Sequence, residues 1–353
     1  MDQDVVILTS YFRERYRAGG GSLGGALIDA CGRRSVTASV LLRGIAGYGP
    51  GQPTGAGRAV AAPEEPPLTA IVVDTGPRID ALLDEVAEIA RPQLITLEPA
   101  RLLSDEIEPL WLVEPSSEAT KLTIYCGHAD RVFEVPAFEA ACELLYRRQV
   151  AGATVLSGSD GTAGGRRRRA QFLRHGADAP LMVVAVGSGQ RIGMMLPELG
   201  RLFRHPLMTV AKVRLCKRDG QFVSRPETLS GDGAKAPGRM ASQVKLTVYT
   251  SEATRVHGQP AHREIVRLLR SAGVSGATSQ RGSWGFHGEH APHGDHFPWH
   301  GRHVPVVTTV IDRAERIGVA FDVIDALTPD RGLVTAETVL TPQPAGVRSD
   351  QEA

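Results

Sequence analysis

Hydrophobic and polar residues alternate through Lys121–Cys126, KLTIYC: Leu122, Ile124 and Cys126 share one face, and Lys121, Thr123 and Tyr125 the other. A period of two predicts a strand. The period then lengthens. Phe138, Ala141, Leu144 and Leu145 recur at helical spacing, as do Ile265, Leu268, Leu269 and Ala272 further on. The stripe Ile79, Leu82, Leu83, Val86 and Ile89 predicts another helix. The run LMVVAV after Pro180 is apolar at every position, as expected of a strand buried on both faces.

These patterns recur at fixed intervals. KLTIY at 121–125 returns as KLTVY at 245–249, a step of 124, and the same step carries RVFEVPA at 131–137 onto RVHGQPA at 255–261. It also carries GAT at 152–154 onto 276–278, and Gly158 onto Gly282. The second half of the unit occurs three times. PLTAIVV, PLMVVAV and PVVTTVI begin at Pro67, Pro180 and Pro305, and Arg-Ile follows each at 78, 191 and 316. LITLE, LMTVA and LVTAE follow at 94, 207 and 333. The first copy opens with VVILTSY at 5–11 in place of KLTIY. Self-similarity of this kind marks a duplicated structural unit. Each copy reads strand, helix, strand, long loop, strand, helix, strand. This is the order of a ferredoxin-like split βαβ unit, whose open sheet face needs a partner that the other copies can supply.

KLTIYCG, GATVLSG, RGIAGYG at 43–49 and the strand-then-Arg-Ile pattern resemble the bacterial domain of unknown function 190 family, grouped with the PII-like signalling proteins. The resemblance covers nearly the whole chain, three times over. PII-like proteins are ferredoxin-like homotrimers that bind small ligands, commonly adenine nucleotides, in clefts between subunits. A long loop between their second and third strands reports the bound state. The resemblance therefore implies an α+β chain of three tandem ferredoxin-like (βαββαβ) PII-like repeats at 4–102, 120–216 and 244–340, forming an intramolecular pseudo-trimer with three unequal clefts. It further implies a cytoplasmic sensor for a nucleotide or other anionic metabolite, monomeric because three copies already close the arrangement, with the long loops presented to a regulated protein.

Composition narrows the alternatives. The 353 residues carry a formal net charge of +1 and are 42% hydrophobic, which argues against a dedicated nucleic-acid binder. Cys31, Cys126, Cys142 and Cys216 are scattered without a CxxC, so reduced thiols are expected rather than a disulfide framework or thiolate zinc site. No basic segment precedes a long apolar run, and the apolar runs are strand-length. Neither a signal peptide nor membrane insertion is expected.

The three long loops, 22, 21 and 22 residues between Gly44, Gly158 and Gly282 and the following prolines, differ most between copies. The first is rich in Gly and Pro and does not match a P-loop. It is either a flexible connection or a phosphate cradle, for which Arg43, Gly44, Gly47, Tyr48 and Gly49 are the candidates. The second holds Arg166, Arg167, Arg168 and Arg169: a solvated basic run, or an anion site for a nucleotide phosphate or an acidic partner surface. The third holds six of the eleven histidines, with Glu289 and Asp295 among them. His287, His290, His293 and His296 are the candidate ligands for a divalent metal; the plainer reading is a polar and aromatic recognition loop. Trp284, Phe286 and Trp299 offer stacking surfaces for a base.

Arg281, Gly282 and Arg316 complete the ligand candidates, although Arg78, Arg191 and Arg316 also suit packing or an ion pair. GSGQRIG at 187–193 lacks the third glycine of a dinucleotide fingerprint, since position 192 is Ile192. No nucleophile–base pair stands out, so catalysis is not expected. The alternatives to a sensor are a metal-binding protein using the third loop and an enzyme acting on a phosphorylated small molecule.

Overall fold

The computed structural model describes residues 2–18, 20–49, 65–89, 94–104, 107–110, 117–163, 166–169, 179–226, 229, 240–288, 290–294, 304–330 and 332–343. The first third of the chain holds β1 (Asp2–Arg13), α1 (Leu23–Arg33), β2 (Ala38–Arg43), β3 (Pro67–Asp74), α2 (Gly76–Ile89) and β4 (Leu94–Ser104). The second holds β5 (Glu118–Gly127), α3 (Ala137–Arg147), β6 (Gly152–Ala163), β7 (Pro180–Gly187), α4 (Gly189–Gly200) and β8 (Leu207–Arg218). The third holds β9 (Met240–Ser251), α5 (Ala261–Ser271), β10 (Ala277–Arg281), β11 (Pro305–Asp312), α6 (Ala314–Leu327) and β12 (Leu333–Pro342).

Within each third the strands pair antiparallel in the order second, third, first, fourth. The alternation in KLTIYC has a simple outcome. Leu122, Ile124 and Cys126 enter the core under α3 and α4, together with Phe138, Ala141 and Leu145. Val248, Ile265, Leu269 and Phe321 do the same in the third repeat, and Leu8, Ile79, Leu82 and Val86 in the first. Each fully buried side chain of this kind contributes roughly 1.5–3 kcal/mol. The Arg of each Arg-Ile pair closes the preceding helix. Arg78 donates to Arg34 O and Ser35 O at 2.6 Å, Arg191 to Gln149 O at 2.7 Å and Arg316 to Ala272 O at 3.5 Å. Cations are favourable beside these unsatisfied carbonyls at a helix C-terminus.

The expectation of three tandem ferredoxin-like repeats grouped as a pseudo-trimer is corrected by how the edges pair. The repeats do not keep separate sheets. β2 pairs with β6 from Ala38↔Ala163 to Leu42↔Gly158, with a bulge at Ser159. The short strand Trp284–His287 pairs with the start of β6, and Ala46–Tyr48 with β10. At the other end, β8 pairs with both β4 and β12. The result is one 17-stranded sheet that closes into a nine-stranded antiparallel β-barrel. An open edge exposes unpaired N–H and C=O groups, and closure removes it. Among the described residues no helix is long and apolar enough to cross a membrane.

Closure requires close backbone approach, which explains the shared glycines. A Cβ on Gly44 would stand 2.7 Å from the ring of Pro67, and one on Gly158 would stand 2.8 Å from the ring of Pro180. A Cβ on Gly47 would stand 2.6 Å from Ala277 O of the neighbouring repeat. Gly161 and Gly285 face Ser39 O and Ala153 O in the same way, closer still.

The sheet face turned away from the helices lines the interior, and there the polar half of KLTIYC is buried. Tyr11, Tyr125 and Tyr249 occupy equivalent positions and hydrogen-bond Thr96, Thr209 and Thr335. Lys121 Nζ lies 2.6 Å from both carboxylate oxygens of Glu337, and Lys245 Nζ lies 2.7 Å from Glu98 and 3.1 Å from Glu337. These four groups surround a cavity of about 80 Å³. Burial by itself would raise the Glu337 pKa, but Lys121 and Lys245 outweigh it and hold the carboxyl at about 2. Burial would likewise lower Lys245, but Glu337 and Glu98 raise it well above its ordinary value.

Three outcomes follow. Lys245→Met strands a buried carboxylate and is expected to lose about 3–5 kcal/mol in guanidinium unfolding. Arg147→Met, which breaks an exposed pair with Glu143, should lose less than about 1 kcal/mol. Equal losses would count against the interior cluster as a special constraint. Glu337 contributes stability that is present above its unfolded pKa of 4.5 and is lost as pH falls towards about 2. Unfolding at pH 5 and pH 2.5, with Glu337→Gln as control, reads that share. Gly161→Ala forces β2 and β6 apart and should cost about 1–3 kcal/mol; an unchanged unfolding midpoint would show that the strands can give way.

Candidate functional site

The junctions between repeats form clefts whose equivalent positions can be compared directly. In the third repeat the hairpin after β9 and the start of α5 face Ile45 of the first repeat across a cleft of about 540 Å³. Glu252, Arg255, His262, Arg263 and Arg281 line it. Arg281 Nε donates to Glu252 at 2.8 Å, which neutralises the one carboxylate among the described lining residues. Arg255 and Arg263 remain as excess positive charge. The N-terminus of α5 adds the partial positive charge of its unpaired amides.

His262 is the second residue of α5, is 5% exposed, and its Nδ1 has no hydrogen-bond partner among the described residues. Burial first, then the charges of Arg263 and Arg255, push its pKa down to about 4. The ring is therefore neutral at neutral pH.

The other two clefts keep Arg255 as Arg131 and Arg17 but differ at several of the other positions. Around the second repeat, Phe138 stands where His262 does, Glu139 where Arg263 does, and His128 and Ser157 where Glu252 and Arg281 do. Phe138 packs edge-on against Trp284 at 6.4 Å, and Ser157 bonds Ser283 at 2.9 Å. Around the first repeat, Gly24 replaces the histidine, and Arg43 pairs with Glu14 at 2.8 Å as Arg281 does with Glu252. At these positions the cleft facing Ile45 is the most cationic, and it alone holds a buried imidazole whose Nδ1 has no partner among the described residues.

The residues expected from sequence fall in several places. Arg281 lines this cleft. Arg43 occupies the equivalent position one repeat away. Gly44, Gly47 and Gly282 sit at the close approaches of neighbouring strands. Tyr48 is buried in the third repeat's core with Arg270 over its ring at 5.9 Å. Gly49 has open space around it. Arg167 is held by Asp160 at 2.6 Å and by Asp29 of α1, so it clamps the second repeat onto the first. Arg168 lies against Gly127, Arg166 pairs in the short strand Arg166–Arg169, and the side chain of Arg169 lies outside the described residues.

Phe286 is fully buried beside Tyr146. Trp284 borders a second groove of about 730 Å³ with Phe133 and Leu144. Arg316 caps α5. The His287 and His290 rings lie 5.9 Å apart, and His293 Nδ1 contacts Ala291 O at 2.8 Å. Among the described residues no three metal-ligating side chains converge. His296, Glu289, Asp295, Trp299 and residues 50–64 lie outside the described residues. All four cysteines are free and buried, and burial pushes the thiols of Cys31 and Cys126 up to about 12, far from a reactive thiolate.

Sequence reasoning missed Glu252, Arg255, His262 and Arg263. Their signal was present in the repeat comparison: position 262 departs from Phe138 and Gly24 at the same structural place. Lys121 and Lys245 were visible in the duplicated strand, as were Glu98 and Glu337 at the ends of LITLE and LVTAE. Their convergence was not.

The family model of domain of unknown function 190, described as "Uncharacterized ACR", matches the chain three times, at residues 5–102, 119–215 and 243–341. The chain belongs to this family and carries three copies of its domain in tandem.

A buried neutral histidine makes a definite contribution to acid sensitivity. Its folded pKa of about 4 lies below the ordinary 6.5, so the unfolded chain takes up the proton first. The associated stability is present above pH 6.5 and is lost as pH falls from 6.5 towards 4. His262→Phe, with the residue found at position 138, should flatten thermal stability across that window. A variant profile as steep as the wild type would assign the loss to other groups.

Proposed function

We propose that this three-copy member of the domain of unknown function 190 family is a regulatory small-molecule-binding protein. It takes an anionic metabolite, a nucleotide or another phosphate ester, in the cleft between its third and first repeats. The observation that carries this reading is the convergence of Arg255, Arg263, Arg281 and buried His262 on one cleft of about 540 Å³, opposed among the described residues only by Glu252. That volume suits a ligand of nucleotide size. Guanidinium groups offer forked donors that match phosphate oxygens, and a helix N-terminus favours the same charge.

The PII-like resemblance supports a sensing role, in which a ligand between repeats alters how the long loops meet a partner protein. The chain acts as a monomer in this reading, because three copies close the barrel without recruiting another chain. Light scattering should return one chain of 37.7 kDa; a mass near three chains would overturn the monomer.

The direct test is titration calorimetry with adenosine triphosphate, a cyclic dinucleotide and inorganic pyrophosphate. Wild type should bind at least one of them. Arg255→Ala/Arg263→Ala should weaken that binding at least about tenfold, since each charge-assisted hydrogen bond contributes about 1.5–3 kcal/mol, and should reduce its salt dependence. Folding should be nearly unaffected. Binding that is equal in both proteins would move the site to another cleft.

A further inference from the structure

The geometry points to His262 as a proton-coupling residue: an anion entering the cleft between the third and first repeats brings a proton with it, which settles on the imidazole. This rests on the anion-binding reading above and adds to it how the site responds to pH.

The argument starts from what surrounds the ring. Its own helix contributes Arg263, and the preceding hairpin contributes Arg255 and Glu252. β10 contributes Arg281, which already holds Glu252 at 2.8 Å. The first repeat contributes Ile45, which carries no charge. Further along the same helix, Glu264 is held by Arg267 at 2.5 Å and by His257; among the described residues every charge left uncompensated around His262 is therefore positive, and no carboxylate is free to stabilise an imidazolium. With no anion bound, burial and then both neighbouring arginines oppose a positive charge on the ring and keep it neutral.

A bound phosphate reverses each of these conditions. Its negative charge offsets the arginines and lowers the cost of placing a proton on the ring, whose Nδ1 is itself buried. An imidazolium donates from both ring nitrogens, whereas a neutral ring donates from one. The proton comes from solvent and is returned to solvent when the ligand leaves, so binding and proton uptake are linked in both directions. Phe138 and Gly24 hold the equivalent positions, so the coupling belongs to this cleft alone among the three.

The experiment is calorimetry on the full chain with adenosine triphosphate and inorganic pyrophosphate, at pH 7, in buffers of different ionisation enthalpy. It compares wild type with His262→Phe. The probes titrate near this pH, but their own protons cancel in the difference between the two proteins. Wild type should take up more protons per probe bound, the excess approaching about one. Its affinity should rise by up to about tenfold per unit as pH falls from 8 to 6, relative to the variant.

Measurable binding with the same proton count in both proteins would overturn the coupling and leave the anion site standing. Failure of wild type to bind either probe would overturn both readings. Should His262→Phe not fold, the nitrogen-15 shifts of the His262 ring in labelled wild type decide the matter. Imidazolium shifts on adding the probe at pH 7 support the proposal, and a ring that stays neutral in the complex overturns it.

Discussion

Two lysines and two glutamates buried inside a closed barrel must balance one another, and the rest of the molecule is arranged around that requirement. Lys121, Lys245, Glu98 and Glu337 come from all three repeats, so neither the first nor the second repeat can satisfy its own interior charge. The third repeat supplies one of each sign, the second only a lysine, and the first only a glutamate. At the equivalent positions stand Ile7 and Ala211. Loss of a lysine in one copy is matched by loss of a glutamate in another, which keeps the interior neutral. An unpaired buried charge costs several kcal/mol, so the two replacements are physically dependent although they lie in different repeats.

Covalent linkage explains why such asymmetry is tolerated. When three units share one chain, each junction has a fixed pair of neighbours and its side chains can diverge without affecting the other two. The clefts record this divergence. One is clamped by Arg167 between Asp160 and Asp29, one is packed by Phe138 and Trp284, and one is left open with arginines around His262. The common framework is maintained by small residues at the crossings. Gly47, Gly161 and Gly285 allow neighbouring backbones to approach, and any side chain there would part the strands that close the barrel.

The open cleft and the neutral interior use opposite electrostatic solutions. Inside the barrel every buried cation meets a carboxylate, and the pKa values of Glu337 and Lys245 move to favour the charged forms. In the cleft Glu252 pairs with Arg281, and His262 remains neutral because burial and then Arg263 and Arg255 oppose its charge. Structural burial ends with paired charge, whereas the cleft retains a positive excess. That difference is the physical basis for treating the cleft as a place where something else binds.

Much of the framework was legible in the chain. The step of 124, the threefold return of a Pro-led strand followed by Arg-Ile, the alternation in KLTIYC and the stripe from Ile79 to Ile89 determine that there are three copies, which residues form strands and helices, and which side of each packs under the helices. Local periodicity fixes these features because they depend on neighbours within a few residues. Periodicity could not show what the other face of the strands meets, or which edges pair. The pattern placed Lys121 and Thr123 only on the face away from the helices, and the closed barrel made that face an interior. The three separate units expected from the repeat order became one sheet because edge pairing is decided between segments about a hundred residues apart. The same holds for the cleft: Ile45 and His262 lie far apart in the chain, and His262 looks like any helix residue until the fold buries it among arginines. The sequence by itself determined the repeated elements, whose forces are local; the tertiary structure alone decided the barrel, its neutral interior and the charged cleft, because burial and charge pairing depend on which distant residues come together.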